Sequence, residues 1–379
     1  MGGSRSEPSP RAKGSIFCSV NDTLDSPAWA PGSARRYRTG MSSATRTSSI
    51  PDRNLALELL RVTEWAALAA APLQGRGDKE AADQAAVDAM RTALAGVDMR
   101  GTVVIGEGEK DKAPMLYFGE EVGNGLEPEV DVAVDPIDGT RLAANGQPGA
   151  LSVVALAERG SMWTSHVPYM EKIVVGRRAR GVIDIEMPVE WNLIRIGKAL
   201  DLDPRDLTVM ILDRERNHPV IDAVRDVGSR IRLIGDGDVA GAVMAAAETQ
   251  SGIHVLMGSG GATEGVVGAC AVKCLGGDMQ GRLLLRDDNE RRLAAEEGQD
   301  PGRVYTTQEL CSGDNIFFAA TGITGGDLLR GVRYEGPYAY THSMVLRSAT
   351  GTMRFVDAFH EAAKLRARGA LGVQLDWRR

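Results

Sequence analysis

The apolar residues of this chain fall into two patterns. Leu55, Leu59, Val62 and Ala66 recur at helical steps, and Ala82, Ala85, Ala86, Ala89, Met90 and Ala93 resume that spacing after GRGDKE. Both stretches predict helices with one apolar face, joined by a glycine-bearing turn. The pattern then shortens to compact β-rich runs: TVVIG at 102, VDVAV at 130, LSVVAL at 151, KIVVG at 172, LTVMIL at 207, RIRLIG at 230, IHVLMG at 253 and NIFFAA at 315. Each predicts a strand. Helical spacing returns between them in NHPVIDAVRDVG, DVAGAVMAAAE and ATEGVVGACAVKCLG. Strands alternating with helices predict a layered α/β (α+β) fold with mixed sheets. YTHSMVLRSATGTMRFVDAFH reads as a closing hairpin around Ser-Ala-Thr-Gly, and NERRLAAEEGQD as an exposed charged insertion.

The first 50 residues show no apolar periodicity and are rich in Ser, Arg, Pro and Gly. They predict a disordered basic extension ahead of a folded region from 51 to 379. Met41 opens the stretch in which order begins, which makes it an alternative first residue. Lys and Arg outnumber Asp and Glu by 7 to 3 in those 50 residues, but are outnumbered 37 to 48 in the remainder. An acidic body argues against nucleic acid as the main partner. No run approaches the about 18 apolar residues of a membrane span, and MGGSRSEPSPRAKG lacks the apolar core of a secretory signal. The expectation is a cytoplasmic protein without a membrane partner. Cys18, Cys270, Cys274 and Cys311 form no CxxC pair and read as core thiols rather than zinc ligands.

The polar residues gather where strands end. TVVIG runs into EGEKD, VDVAV into DPIDGT, LTVMIL into DRER, RIRLIG into DGD, and IHVLMG into SGGATEG. In layered α/β folds such ends converge on a ligand crevice. Asp135 and Asp138 would repel each other there, and divalent cations between them answer that conflict. Pro136 biases Asp135 toward extended backbone, while Asp138-Gly139-Thr140 can open a helix whose N–H groups face an anion. Hard oxygen ligands select Mg²⁺ or Mn²⁺. The pieces assemble into a metal-dependent phosphatase. The bland alternative makes Asp138 a helix N-cap and Asp135 a solvated strand end. The aspartyl-phosphate pattern, D-x-D-G-T, has one residue between its carboxylates where this chain has two, which favours a metal-activated water over a covalent nucleophile. GSGGATEG carries Thr263 where a dinucleotide fingerprint has its third glycine.

Taken together, GRGDKEAAD, VVIGEGEKDKAPMLYFGEEVG, VDPIDGT, YMEK, IGDGDVA, GSGGATEGV and NIFFAATGIT resemble, in order, the class II (GlpX-type) fructose-1,6-bisphosphatases over roughly 52 to 357. The resemblance implies the lithium-sensitive sugar and inositol phosphatase superfamily and its α-β-α-β-α sandwich. The metal-binding half would lie at about 51–190 and the sugar-phosphate half at about 191–379. It implies Asp83 and Glu107 as ligands of one divalent ion and Asp135, Asp138 and Glu264 as ligands of a second. Thr140 would orient and activate the attacking water, with Asp138, Gly139 and Thr140 cradling the 1-phosphate. Tyr169, Arg214 to Arg216 with Glu215 between, Asp236, Gly237, Asp238 and Gly261 would hold the sugar and the distal 6-phosphate. A homodimer or homotetramer is implied.

Local readings leave alternatives. Asp83 also reads as a solvated helix-face residue, Glu109 or Asp111 as a replacement for Glu107, and Tyr169 as an ordinary half-buried aromatic. Arg214 and Arg216 alternate along a segment expected to be extended, so both point to one side. Glu215 stands where relatives often have proline, and Thr263 replaces the proline common before the Glu264 position. The expected reaction is hydrolysis of the 1-phosphate of fructose 1,6-bisphosphate by in-line attack of a metal-activated water. Sedoheptulose 1,7-bisphosphate and inositol monophosphate are alternative substrates, and a non-catalytic sugar-phosphate sensor is the rival of another class.

Overall fold

The computed structural model describes residues 54–107, 116–248 and 251–369. The expected basic extension, Met41, Cys18, Glu109 and Asp111 lie outside them. Along the chain run α1 (Ala56–Ala70), α2 (Lys79–Leu94), β1 (Arg100–Ile105), β2 (Glu121–Val122), β3 (Glu129–Asp138), α3 (Thr140–Ala144), β4 (Leu151–Glu158) and β5 (Tyr169–Val175). There follow α4 (Val189–Leu200), β6 (Thr208–Leu212), α5 (His218–Val227), β7 (Arg230–Ile234), α6 (Val239–Ala247), β8 (Val255–Gly261), α7 (Ala262–Leu275) and β9 (Asp278–Leu283). Last come α8 (Asp288–Glu296), β10 (Val304–Thr306), α9 (Thr307–Leu310), β11 (Phe317–Gly322), β12 (Arg333–Glu335), β13 (Tyr338–Arg347), β14 (Thr352–Glu361) and α10 (Ala362–Ala367).

The strands form two mixed sheets. The first orders as β12-β13-β11-β4-β3-β1-β2 with β14 on β13, and the second as β10-β9-β5-β8-β6-β7. Alternate residues explain why the strand runs are apolar throughout. Val154 and Leu156 of β4 and Phe317 and Ala319 of β11 face α1 and α2. Val153, Ala155, Phe318 and Ala320 face the opposite way, into a core shared with α6, α7 and the second sheet's Met170, Val174, Met210 and Leu256. The outer face of the second sheet packs Ile173, Val209 and Ile211 against Leu193 and Ile196 of α4 and Ile221 and Val224 of α5. Covered on both sides, these sheets need apolar residues at both parities. The layers therefore run helix, sheet, helix, sheet, helix, as expected. The first sheet draws strands from both ends of the described chain.

Two departures bear on the site. The charged stretch expected to be an exposed insertion forms α8, which buries Glu290 and Ala294. Its next residue, Glu297, accepts hydrogen bonds from the Ser165 hydroxyl at 2.7 Å and the His166 N–H at 2.9 Å. The segment is docked. The chain is also not extended through Arg216: Arg214 is in β conformation, but Glu215–Asn217 make a 3₁₀ turn.

Candidate active site

β1 and β3 are parallel neighbours, so Gly106-Glu107 and Asp135-Asp138 leave the first sheet at one edge. In the second sheet β6 runs parallel to both β7 and β8. The Arg214, Asp236 and Glu264 loops therefore leave it at a common edge as well. β3 has an irregularity that matters here. Against β4, Asp135 pairs with Val153 and Asp138 with Leu151, so three steps on one strand oppose two on the other. Such a bulge re-aims side chains that a regular strand would send to opposite faces. Asp135 and Asp138 accordingly act on each other electrostatically.

The Asp135 carboxyl is held well above its usual range by burial first, then by Asp138, Glu107, Glu264 and Asp83. Glu107 is pushed up to about 7 by burial, then by Asp83 and Glu264. Asp138 is raised by burial, then by Asp238 and Glu264. Asp83, half-buried on α2, is raised by burial. All five predicted metal ligands thus belong to one mutually repelling acidic group. The group is not closed, however: among the described residues no three His, Cys, Asp or Glu side chains are arranged to hold a metal ion as they stand. The five residues stand as a crowd of neighbouring carboxylates. Its donors are still all hard oxygens, and Asp138 Oδ1 is buried with no hydrogen-bond partner among the described residues. Its Oδ2 has only the Ala240 N–H, at 3.4 Å. That unsatisfied oxygen suits a divalent cation.

Asp138 is not an N-cap. That place belongs to Gly139, at φ +87°, a left-handed conformation that glycine adopts without strain. The helix it opens is only five residues long, so its ends supply local N–H groups rather than a long macrodipole. The Thr140 hydroxyl donates to the Ile137 carbonyl at 3.1 Å, leaving its lone pairs directed elsewhere. Gly237, at φ +66°, lies so close that a Cβ there would stand 2.8 Å from Asp138 Oδ1 and 2.9 Å from the Gly139 nitrogen.

A cleft of about 890 Å³ opens above this floor. Tyr169, Arg214, Arg216, Asp236, Gly237, Asp238, Gly261 and Glu264 line it, joined by Phe118, Arg141, His166, Thr263 and Leu293. Arg214 and Arg216 do share a side, and Glu215 is exposed between them. Glu215, in the 3₁₀ turn, is not among the residues that line the cleft. Asp236 braces rather than stands free, taking the Arg214 guanidinium at 2.6 Å and the Arg141 N–H at 3.1 Å. Arg216 donates to the Ser259 hydroxyl at 3.0 Å and lies over the Tyr169 ring, 4.7 Å from its centroid. Thr263 donates its hydroxyl to Glu264 at 2.6 Å.

Lys172 escaped the sequence reading. It is 3% exposed, pairs with Asp238 at 2.5 Å and donates to the Gly261 carbonyl at 2.9 Å. The available signal was parity: Lys172 shares the core-facing side of β5 with Met170 and Val174. Cys270, Cys274 and Cys311 are free and buried, as expected of core thiols.

With this geometry in place, the comparisons are direct. Residues 53–360 match the family of bacterial fructose-1,6-bisphosphatases, glpX-encoded. The chain belongs to this family. It is similar to the D-fructose 1,6-bisphosphatase class 2/sedoheptulose 1,7-bisphosphatase of Synechococcus sp. (strain JA-2-3B'a(2-13)), 43% identical over 84% of this chain and 99% of that protein. The protein of the same name from Synechococcus sp. (strain JA-3-3Ab) is 44% identical over 82% of this chain and 96% of its own length. A third, from Thermosynechococcus vestitus, is 42% identical over 82% and 96%. As family members the chain is a phosphatase, and metal dependence goes with the class.

Proposed function

We propose that this phosphatase hydrolyses the 1-phosphate of fructose 1,6-bisphosphate, giving fructose 6-phosphate and inorganic phosphate. The observation that carries the reading is a cleft with two unlike sides, an acidic one at Glu264 and Asp238, backed by the buried carboxylates Glu107, Asp135 and Asp138, and a cationic wall at Arg214 and Arg216. A substrate bearing two phosphates matches both sides once the charge of the acidic one is reversed. Asp83, Glu107, Asp135, Asp138 and Glu264 would hold Mg²⁺ or Mn²⁺, which supplies positive charge at the reacting phosphate and lowers the pKa of water. The chain's own groups do the rest. The Thr140 hydroxyl, already donating to Ile137, accepts a hydrogen bond from the attacking water and aligns it. Backbone N–H groups around Gly139 receive the phosphate oxygens, and Asp138 Oδ1 stands beside them. Arg216 and Tyr169 bind the distal phosphate and sugar, so their binding energy orients the scissile bond. The P–O bond to the sugar breaks as the water oxygen bonds phosphorus, and the sugar oxygen gains a proton.

Sedoheptulose 1,7-bisphosphate is a second substrate on this reading, because it too is a bisphosphate and the relatives' names include it. Inositol monophosphate gives the cationic wall nothing to hold. A sensor without turnover would not need Thr140 beside the acidic floor. Placement in the lithium-sensitive superfamily is supported by the five-layer architecture. A cytoplasmic address is supported by three thiols free of disulfides. A homodimer or homotetramer is supported by the edge strand β14, where Phe355 is 49% and Phe359 72% exposed. The deciding experiment measures phosphate release from fructose 1,6-bisphosphate with Mg²⁺, Mn²⁺ or a chelator, beside inositol 1-phosphate. Cation-dependent turnover of the bisphosphate alone is expected. Equal or better turnover of the inositol ester would overturn the reading.

A further inference from the structure

The cleft's cationic wall has an anchor outside it. Arg286 follows β9 and reaches back so that its guanidinium lies 3.7 Å from the centroid of the Tyr169 ring, the same ring that carries Arg216 at 4.7 Å. The backbone brings them together: the Leu284 N–H donates to the Tyr169 carbonyl at 3.0 Å. Arg286 is fixed from behind by Glu290 of α8, which is 6% exposed. The Arg286 N–H donates to Glu290 Oε2 at 2.7 Å, its Nε to Oε1 at 3.0 Å, and its Nη2 to the same oxygen.

Charge pairing shows what this arrangement serves. Arg214 faces Asp236, Arg282 faces Glu171, Arg286 faces Glu290 and Lys172 faces Asp238. Among the described residues Arg216 has no carboxylate partner; it is held by Ser259 and Tyr169 alone. Without an ion pair of its own, and with Asp238 acting on it only at longer range, Arg216 faces an incoming anion with its charge available. Arg216 also lines an adjoining cavity of about 300 Å³ together with Arg286 and Arg282. The ring of Tyr169 lies on its cleft side.

We propose that Arg286, clamped by Glu290, is a specificity-determining positioning residue: it pins the Tyr169 ring so that Arg216 is presented to the substrate's distal phosphate. The inference rests on the bisphosphate reading above. It gives α8 a function, since this charged helix supplies the clamp and, through Leu293, part of the cleft wall. Loss of the positioning should shift affinity by roughly tenfold, about 1.4 kcal/mol.

The test uses the full chain with Arg286→Met, which keeps the aliphatic stem, and Glu290→Gln, which weakens the clamp. For fructose 1,6-bisphosphate, KM should rise about tenfold in Arg286→Met while kcat changes less than about threefold. Calorimetric affinity for fructose 6-phosphate, which carries only the distal phosphate, should fall by a similar factor, with Glu290→Gln intermediate. Combining Arg286→Met with Tyr169→Ala should add little to Tyr169→Ala alone. An unchanged KM and fructose 6-phosphate affinity, equal losses in kcat and affinity, or strictly additive effects would each overturn the proposal. If the parent binds fructose 6-phosphate but does not turn over the bisphosphate, the functional reading fails, while the binding comparison still decides the role of Arg286.

Discussion

Replacing Lys172 by methionine is the sharpest structural perturbation available beneath the site. Methionine keeps the aliphatic length but removes a charge that is 3% exposed and 2.5 Å from Asp238, itself 4% exposed. Burial raises the Asp238 carboxyl and Lys172 opposes that rise, so the variant leaves a buried acid without its counter-charge. Breaking such a pair from one side costs about 3–5 kcal/mol. Removing both partners costs far less, because no orphan charge remains. Denaturant midpoints, read at an unchanged m-value, should therefore show a large loss in Lys172→Met and a substantial recovery in Lys172→Met/Asp238→Leu. The double variant should remain catalytically impaired, because Lys172 also holds the Gly261 carbonyl ahead of the helix bearing Glu264. A single variant within about 1 kcal/mol of the parent, or a double variant no better than the single, would refute the pairing argument.

Two further expectations follow from the same packing. Gly237→Ala places a methyl group 2.8 Å from Asp138 Oδ1 on a left-handed backbone. It should lower kcat/KM more than tenfold while costing about 1–2 kcal/mol of stability, and steady-state kinetics beside thermal unfolding measures both. Remote from the site, Glu64 is pushed up to about 7 by burial, against a hydrogen bond from Thr341 that lowers it. A carboxyl raised on folding contributes stability that is full below its usual value of 4.5 and lost as pH climbs through 7. Relative to Glu64→Gln, the parent should lose up to about 3 kcal/mol between pH 5 and pH 8 in denaturant titrations. Parallel profiles would contradict it.

The fold was legible wherever burial imposed a period. Leu55, Leu59 and Val62 announced α1, and apolar runs such as LSVVAL announced strands covered on both faces. Elements governed by other forces were harder to read. α8 carries few apolar residues and is held through Glu290 and Glu297, so its charge suggested solvent where the chain in fact docks. α4 and β9 lie in segments whose apolar spacing is interrupted by charged and small residues. The site showed the same division. Acidic and glycine-rich strand ends were visible as a group, because parallel strands bring such ends together. The bulge that lets Asp135 and Asp138 act on each other, and the turn at Glu215, are backbone events that residue spacing does not record. Arg286 and Lys172 matter through partners over a hundred residues away or across a sheet, contacts that only the folded chain defines.

The central claim is that carboxylates from distant segments share divalent cations, and calorimetric titration of the metal-free full chain with Mn²⁺ tests it most directly. Saturable binding at neutral pH is predicted for the parent, weakened at least tenfold in Asp135→Asn and in Asp138→Asn while both variants unfold like the parent. A parent that binds no Mn²⁺, or variants that bind it as well as the parent does, would contradict the account.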